Sequence, residues 1–476
     1  MLFNSLQFCI FFIVVTILYF LLKHPYRWLL LLIASCYFYM VFVPVYILIL
    51  GFTIVIDYYA GIYIERSQGK QRKTFLTMSL VANIGVLAVF KYYNFINDNI
   101  TALMHGLDWK NPIPYLSILL PVGLSFHTFQ AMSYTIEVYR GNQKAEKHFG
   151  IYSLYVMFYP QLVAGPIERP QNMLHQFYEK HSVDYGRIAD GLKLMLWGFF
   201  KKLVIADRLA LYVNAVYGNP EQHSGISLLV ATVFFSFQIY CDFSAYSDIA
   251  IGSARVMGFK LMTNFNRPYF SRSIAEFWKR WHISLSTWFK DYLYISMGGN
   301  RVSVPRWYFN LFFVFLVSGL WHGANWTFII WGALNGLYLV AALVTQPYSR
   351  KIADAVGIHR FKILNNAIQI FFTFCLASFA WIFFRANTVN DAFMIVRKIF
   401  TFKGPFFYEN FSMMAYAVFG IVFLIGTEFY QEYYLRKENA VHRTGKIGQL
   451  LMYALLLLLI LLFGVFDGGQ FIYFQF

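Results

Sequence analysis

Long apolar runs separated by short polar gaps recur along the whole chain, and they constrain its fold more than any other feature. A helix needs roughly 20 apolar residues to cross about 30 Å of hydrocarbon, and about eleven runs approach that length. Within lipid only helices and closed barrels satisfy every backbone polar group. The sequence therefore predicts an all-α polytopic integral membrane protein, with about eleven transmembrane helices plus re-entrant or interfacial helices around a central tunnel.

Composition and charge also favour a location in lipid. Hydrophobic residues make up 59% of the 476 residues and charged residues only 13%, which is too little polar surface for a soluble globule. The net charge of +16 is carried largely by gaps between apolar runs, as expected for cytoplasmic loops. We therefore expect membrane lipid, and no nucleic acid, as a partner. The four cysteines lie inside apolar runs without Cys-x-x-Cys spacing, so no metal site is predicted.

The basic residues also predict how the chain is oriented and divided. Three of them follow the first apolar run, at positions 23–27, and favour an extracytoplasmic N-terminus with a retained first span. An odd number of crossings would place the C-terminus outside as well. We expect a single membrane domain, in which N-terminal transmembrane helices occupy residues 1–115, a core occupies 116–466 and an extracytoplasmic tail occupies 467–476.

Residues 260–307 differ from their surroundings. They contain eight Lys or Arg and two acidic residues, so we expect them to face the cytoplasm. Aromatic residues and leucine recur at helical spacing across residues 277–292, beside several cations. This pattern predicts an interfacial amphipathic helix that dips into the bundle.

The first candidate for chemistry is the stretch SGLWHGANW at residues 318–326. It places His322, Trp321 and Asn325 at the end of an apolar run, where an ionisable side chain is costly unless it faces a cavity or a partner. We attribute the glycines beside the histidine to close approach of a substrate. A packed histidine bonded to a neighbouring helix is the alternative.

The second candidate is the stretch WKRWHISLS at residues 278–286. His282 lies four residues before Ser286, which puts both side chains on one face of a helix. A second imidazole near the first would give a site that accepts protons and stabilises developing charge at neutral pH. Taken alone, this histidine is better interpreted as an interfacial residue.

Two further stretches place polar groups or helix breakers at membrane depth. Asp242 lies in an apolar helix on the same face as Gln238, and we favour hydrogen bonding between helices over tunnel lining for this pair. The stretch PQLVAGP at residues 160–166 would break a helix, which lipid tolerates only where the backbone lines protein or a water-filled cavity. We interpret it as part of a tunnel wall.

Together these stretches resemble the membrane-bound O-acyltransferase family, and within it the bacterial branch that includes alginate O-acetyltransferases. The resemblance runs from about residue 119 to the end of the chain, and it rests on LPVGLSF at 120–126, QLVAGPIER at 161–169, YCDFSAYSDIAIG at 240–252, EFWKRWHISLS at 276–286, SGLWHGANW at 318–326, FAWIFFRAN at 379–387 and FIYFQF at 471–476. Ala245 stands where relatives usually have glycine. Histidine at position 282 matches the branch that acylates cell-envelope polymers.

The resemblance implies a function, a donor and a partner. It implies O-acetylation of an envelope or secreted polysaccharide such as alginate, in the bacterial cytoplasmic (inner) membrane. The donor would be acetyl-CoA or an acyl-phosphopantetheine carrier on the cytoplasmic side, with no permanently bound cofactor, and a secreted SGNH-type protein would complete the transfer. Lys279, Arg280 and Arg301 are candidates for binding the donor's phosphates or an acidic carrier, although simple cytoplasmic retention also explains them.

The resemblance further implies that His322 is catalytic, with His282 as its companion, and that Tyr473 accepts the acyl group as a relay. We expect His322 to act as general base on the phenol, whose ordinary pKa near 10 makes a base necessary at neutral pH. The oxyanion would be met by His282, Asn325 or an indole N–H such as that of Trp321. An interfacial aromatic is the alternative for Tyr473.

Other functions remain open at this point. D-alanyl transfer to teichoic acid and acetyl transfer to peptidoglycan fit the same resemblance. A transporter or flippase of envelope intermediates is the alternative from a different class, since broken helices and intramembrane polar residues also mark transport paths. That class predicts paired interruptions in two related halves of the chain, and the sequence contains no such pair.

Overall fold

The chain is helical throughout the part that the structure describes, a computed structural model covering residues 1–117, 121, 123–163, 165–434, 446–466 and 471. No strand occurs among these residues, which confirms the prediction of an all-α protein. The helices of the first half are α1 (Leu6–Leu21), α2 (His24–Met40), α3 (Ile47–Arg66), α4 (Gly69–Leu87), α5 (Tyr93–His105), α6 (Leu124–Arg140), α7 (Phe149–Met157), α8 (Tyr159–Leu162), α9 (Pro170–Met173) and α10 (Tyr185–Phe200).

The remaining helices belong to the second half of the chain. They are α11 (Asp207–Gly218), α12 (Gly225–Met257), α13 (Ile274–Arg280), α14 (Ile283–Phe289), α15 (Val304–His322), α16 (Trp326–Val356), α17 (Lys362–Arg385), α18 (Val389–Thr401), α19 (Phe411–Tyr433) and α20 (Lys446–Phe463). A π-helical turn, Lys201–Ala206, joins α10 to α11, and another, Lys290–Tyr294, follows α14.

Six helices in the described part of the chain are long and apolar enough to cross a membrane, and two shorter apolar helices accompany them. They bear out a polytopic membrane protein. Hydropathy alone suggested about eleven crossings, and part of the difference comes from apolar runs that fold into short helices. The run at 151–163, for example, is divided between α7 and α8, and most of its side chains are buried.

The chain forms two compact units, one made of residues 1–195 and 247–262 and the other of residues 196–246 and 263–476. The second unit contains both candidate histidines. A core of buried aliphatic and aromatic side chains from the π turn, α11, α12, α17 and α19 runs through it. The expected functional boundaries at residues 115 and 466 stay predictions.

The amphipathic helix predicted over residues 277–292 is wrong in one respect, because the segment is broken in the middle. Helix α13 ends at Arg280, and α14 begins at Ile283. Between them His282 adopts a left-handed conformation (φ 42°, ψ 56°), which costs a non-glycine residue about 1–3 kcal/mol. The Ile283 N–H donates to the Asn264 carbonyl at 2.9 Å, so pairing with a neighbouring segment replaces the helical hydrogen bond.

Candidate active site

His322 is the last residue of α15, which ends because Gly323 is extended (φ −160°, ψ 149°). The imidazole is 6% exposed and lies among aromatic rings. Its centroid is 4.8 Å from that of Trp321, 4.9 Å from that of Trp331 and 5.3 Å from that of Phe384. The ring is therefore held from several sides, as a catalytic group that must keep one orientation requires.

The glycines near His322 allow close packing of two helices, whereas their expected role in substrate approach stays a prediction. A Cβ on Gly319 would lie 2.3 Å from the Phe328 carbonyl oxygen, and a Cβ on Gly323 would lie 2.1 Å from the Phe328 ring. On the facing helix, a Cβ on Gly332 would lie 2.4 Å from the Phe315 carbonyl oxygen. These small residues let α15 and α16 approach closely, and the approach positions His322.

His282 is buried and held by a polar side chain that the sequence analysis missed. The imidazole is 1% exposed and Asn264 is 0% exposed. The Nδ1 atom of His282 lies 3.1 Å from Oδ1 of Asn264. Phe243 packs against the same imidazole edge-to-face, with centroids 4.5 Å apart. Burial lowers the pKa of His282, which lies outside the candidate spans, to about 3, so the ring is neutral at neutral pH.

Trp321 links the two histidines. Its ring centroid lies 6.5 Å from that of His282 and 4.8 Å from that of His322. Forty positions separate the histidines in sequence, and the structure brings both imidazoles against one indole. This arrangement places two buried imidazoles and an indole in one aromatic environment, where electrostatic interactions are stronger than in water.

A cavity of about 1220 Å³ extends beside this cluster within the second unit. Exposed cations line one part of it, namely Arg272, Lys279 and Lys290, and buried side chains of α15, including Val314 and Ser318, line another. Ser318 lies one helical turn before the catalytic candidate on α15. The cavity therefore combines charged groups suited to phosphates with an apolar interior that leads toward the cluster.

Trp278 connects the cavity to the histidines. It lines the cavity, and its ring centroid lies 5.7 Å from that of Trp331, which in turn contacts His322. Neither imidazole is among the residues that line the cavity. The tryptophan pair therefore connects the wall of the cavity to His322.

Two residues that were expected near the reacting groups, Asn325 and Ser286, make other contacts. Asn325 caps α16, accepting from the Thr327 N–H at 3.0 Å and donating to the Asn387 carbonyl at 3.1 Å. Ser286 lines the cavity, and its hydroxyl donates to the Trp281 carbonyl at 3.2 Å. The expectation that Ser286 shares a helix face with the preceding histidine is wrong, because the helix starts after that histidine.

Asp242 forms part of a buried ion cluster. Its Oδ1 atom lies 2.6 Å from Nζ of Lys202, which also contacts Asp207 at 2.9 Å. All three side chains are at most 7% exposed. This ion pair joins α12 to the π turn after α10. It agrees with the interpretation favoured from the sequence, in which Asp242 bonds to a neighbouring helix.

The three basic residues that were expected to bind the donor have different surroundings. Lys279 lines the cavity, whereas Arg280 is bound by two carboxylates, at 2.7 Å from Glu276 and 3.0 Å from Glu432. Arg301 is exposed and is not among the residues that line the cavity. Arg272 and Lys290, which the sequence analysis did not single out, are exposed cations on the cavity wall.

Tyr473 lies outside the described residues, but Phe471, two positions earlier, is described and fully buried. Its ring stacks on Tyr246 with centroids 4.3 Å apart and contacts Phe243 at 5.7 Å. Phe243 is the ring that packs on His282. Before Phe471, the Val465 N–H donates to the Leu203 carbonyl at 3.0 Å. Phe471 is therefore anchored against the ring that packs on His282.

Comparison with known proteins agrees with this geometry. The sequence profile of MBOAT, the membrane-bound O-acyltransferase family, matches residues 148–386, which include both histidines. The chain is 40% identical to a probable alginate O-acetylase AlgI of Pseudomonas aeruginosa, over 84% of this chain and 75% of that protein.

More distant relatives carry other names. A peptidoglycan O-acetyltransferase of Helicobacter pylori is 36% identical over 80% of this chain and 74% of its own length. A teichoic acid D-alanyltransferase of Streptococcus thermophilus is 29% identical over 58% of this chain and 70% of its own length. The buried histidine pair, the apolar helices and these matches lead to one conclusion: the chain is an acyltransferase that belongs to the membrane-bound O-acyltransferase family.

Proposed function

We propose that this acyltransferase moves an acetyl group from a cytoplasmic thioester to a polysaccharide of the bacterial envelope, with alginate as the first candidate. The observation that carries the proposal is the 40% identity to a probable alginate O-acetylase over most of both chains. The enzyme would lie in the cytoplasmic membrane with both termini extracytoplasmic, which the basic gaps between apolar runs support.

The cavity supports a donor that carries phosphates and a thioester arm. Acetyl-CoA and an acyl-phosphopantetheine carrier share that chemistry. Arg272, Lys279 and Lys290 would bind the phosphates at the exposed part of the cavity. The arm would then extend along the apolar wall toward Ser318 and the tryptophan pair, where water is excluded and the thioester is protected from hydrolysis.

His322 would act as the general base. It accepts the proton of the attacking hydroxyl, the oxygen forms a bond to the thioester carbonyl carbon, and the carbon–sulfur bond breaks. The departing thiolate takes the proton back from the imidazolium, so the base returns to its neutral form. The imidazole of His322 is 6% exposed and is held by the rings of Trp321, Trp331 and Phe384, which keep it in one orientation for the proton transfer.

Tyr473 would supply the attacking hydroxyl. The burial of Phe471 against Tyr246 and Phe243 supports this role, because two residues of extended chain span at most about 7 Å and Phe243 contacts His282. The acetyl ester on the phenol would then pass to an extracytoplasmic SGNH-type partner, which transfers it to the polymer.

Acetylation of peptidoglycan and D-alanylation of teichoic acid are the second candidates, and the relatives from Helicobacter pylori and Streptococcus thermophilus favour keeping them. All three reactions use the same donor side and differ in the acyl group and the acceptor. The donor and the polymer therefore have to be tested separately.

The test uses membranes that contain the full chain and its secreted partner. They are supplied with labelled acetyl-CoA or with a labelled D-alanyl carrier. Alginate and peptidoglycan are then separated, and the label in each polymer is measured. We expect label from acetyl-CoA in alginate. Label in peptidoglycan alone would move the assignment to the second candidate, and absence of label from either donor would contradict acyl transfer.

A further inference from the structure

The hydrogen bonds around Asn264 determine how its side-chain amide is oriented. Its Oδ1 atom lies 3.2 Å from the backbone N of Ser284, 2.9 Å from Oγ of Ser284 and 3.1 Å from Nδ1 of His282. A backbone N–H can only donate, so the atom that faces it must be the amide oxygen and not the amide nitrogen. Asn264 therefore presents an acceptor to the imidazole.

That acceptor determines which nitrogen of His282 carries the proton. A hydrogen on Nδ1 makes the 3.1 Å contact a hydrogen bond, whereas a lone pair there would face the lone pairs of the amide oxygen. The hydroxyl of Ser284 lies 3.5 Å from Nδ1, at the limit of a hydrogen bond, and is better placed to donate to the amide oxygen. Because a neutral imidazole has only one N–H, Nε2 keeps its lone pair.

The backbone keeps the two side chains in register. The Ile283 N–H donates to the Asn264 carbonyl at 2.9 Å, and the Asn266 N–H donates to the Arg280 carbonyl at 2.9 Å. These bonds flank the left-handed conformation of His282 and fix the backbone at position 264 relative to the backbone at position 282. The surroundings thus stabilise a strained backbone that directs the Nδ1 edge of the imidazole toward Asn264.

We propose that Asn264 is a positioning residue that holds His282 in its Nδ1–H tautomer, so that His282 takes part in acyl transfer as an acceptor through Nε2. This inference rests on the proposed function. It removes one alternative for the oxyanion, because a neutral imidazole whose only N–H is bonded to Asn264 has no proton to donate. The oxyanion donor must then come from another group, such as the indole N–H of Trp321.

The tautomer is measured directly by nitrogen-15 NMR on the full chain, labelled at histidine and reconstituted in lipid at neutral pH. The His282 signals are assigned as those that disappear in His282→Asn. We expect a protonated Nδ1 and a bare Nε2 in the wild-type chain, and loss of this single pattern in Asn264→Leu. A protonated Nε2 in the wild-type chain would overturn the inference, and this spectrum decides the tautomer even where the leucine variant does not fold.

Measurements of acetyl transfer distinguish a positioning role of Asn264 from a general contribution to folding. Asn264→Leu has nearly the same volume and no acceptor, and we expect kcat for acetyl transfer to fall roughly 10- to 100-fold with the donor KM unchanged, because Asn264 does not line the donor cavity. The matched control is Asn97→Leu, the same exchange at a buried asparagine of α5 that donates to the Ile113 carbonyl, and it should keep kcat near the wild-type value.

A folded Asn264→Leu variant with wild-type kcat would overturn the acceptor role, as would an equal loss of kcat in folded Asn97→Leu. A wild-type chain that shows the bare Nε2 but transfers no acyl group from any thioester would refute the proposed function, and with it the acceptor role, while the tautomer assignment stands.

Discussion

At the residue scale, the burial of His282 has a consequence for stability. Its pKa falls from an ordinary value of 6.5 to about 3 in the folded chain, so the unfolded chain binds more protons between those two values. The contribution of this site to stability is complete above pH 6.5 and is lost progressively as the pH falls toward 3.

We therefore expect the melting temperature of the wild-type chain in detergent to fall more, between neutral pH and about pH 5, than that of His282→Asn. Asparagine adopts the left-handed conformation readily and does not titrate, so it is a matched control for the backbone. Equal losses in the two proteins would show that His282 does not contribute to the acid sensitivity.

Residue patterns predicted the histidines but not their surroundings. His322 and His282 stand out because imidazoles are rare in apolar runs. Asn264 carries no such signal, since it lies 18 positions before His282 in a segment without periodicity, and only the folded backbone brings the two together. The glycines beside His322 were recognised as meaningful, but their packing against α16 depends on a helix that follows in the sequence.

At the scale of the elements, close packing of α15 on α16 positions His322. Gly332→Ala would place a methyl group 2.4 Å from the Phe315 carbonyl oxygen, so the helices must separate. We expect a destabilisation of about 1–3 kcal/mol, measured by thermal unfolding in detergent, together with reduced acyl transfer because His322 moves.

Gly426 on α19 is the matched control, since a Cβ there meets nothing within 4 Å. Gly426→Ala should leave stability unchanged or raise it by up to about 1 kcal/mol, because alanine is the better helix former. If the two alanine variants behaved alike, helix propensity and not the close approach of α15 and α16 would govern the result.

Glu432 connects α19 by ion pairs to the segment that contains Arg267 and Arg280. Its carboxylate contacts Arg267 at 2.8 Å and Arg280 at 3.0 Å, and it is 6% exposed. Removing one member of a buried pair costs about 3–5 kcal/mol, and the partial exposure of Arg267 places Glu432→Gln at the lower end. We expect a clear fall in melting temperature and weaker acyl transfer.

The control is Asp291→Asn, which removes an ion pair with Lys290 whose side chains are 58% and 36% exposed. Exposed pairs contribute about 0–1 kcal/mol, so this variant should unfold like the wild-type chain. A comparable loss in both variants would contradict the role of Glu432 as a specific anchor.

Aromatic periodicity predicted one helix across 277–292 because the spacing of its large side chains continues across the break. The interruption at His282 depends on hydrogen bonds to residues 264–266 and on the carboxylate of Glu432 from α19. Local sequence contains neither, so the segment was predicted with the correct buried side chains and the wrong backbone.

At the scale of the whole molecule, one compact unit contains the histidine pair, the cavity and Phe471. Apolar runs predicted an all-α membrane protein correctly, because backbone hydrogen bonding in lipid permits few alternatives. The central tunnel stays a prediction, and the sequence did not indicate where this cavity would lie. Its wall combines side chains of α13 to α17, and no local pattern determines how those helices pack.

The exposed cations on the cavity wall lead to a prediction about the affinity for the acetyl donor. We expect the double variant Arg272→Gln, Lys279→Gln to weaken donor binding by about 1–2 kcal/mol, a factor of about 5 to 30 in the KM for acetyl-CoA, with kcat unchanged. Added salt should narrow the difference from the wild-type chain. Lys403→Gln, an exposed position away from the cavity, should leave the KM unchanged, and an equal effect there would indicate a general influence of net charge.

The general-base role of His322 is tested most directly by acetyl transfer from labelled acetyl-CoA, in membranes that contain equal amounts of folded wild-type chain or folded His322→Asn. We expect transfer by the wild-type chain and a loss of roughly 10²- to 10⁴-fold in the variant, because its general base is removed. Transfer by His322→Asn at the wild-type rate would exclude His322 as the base.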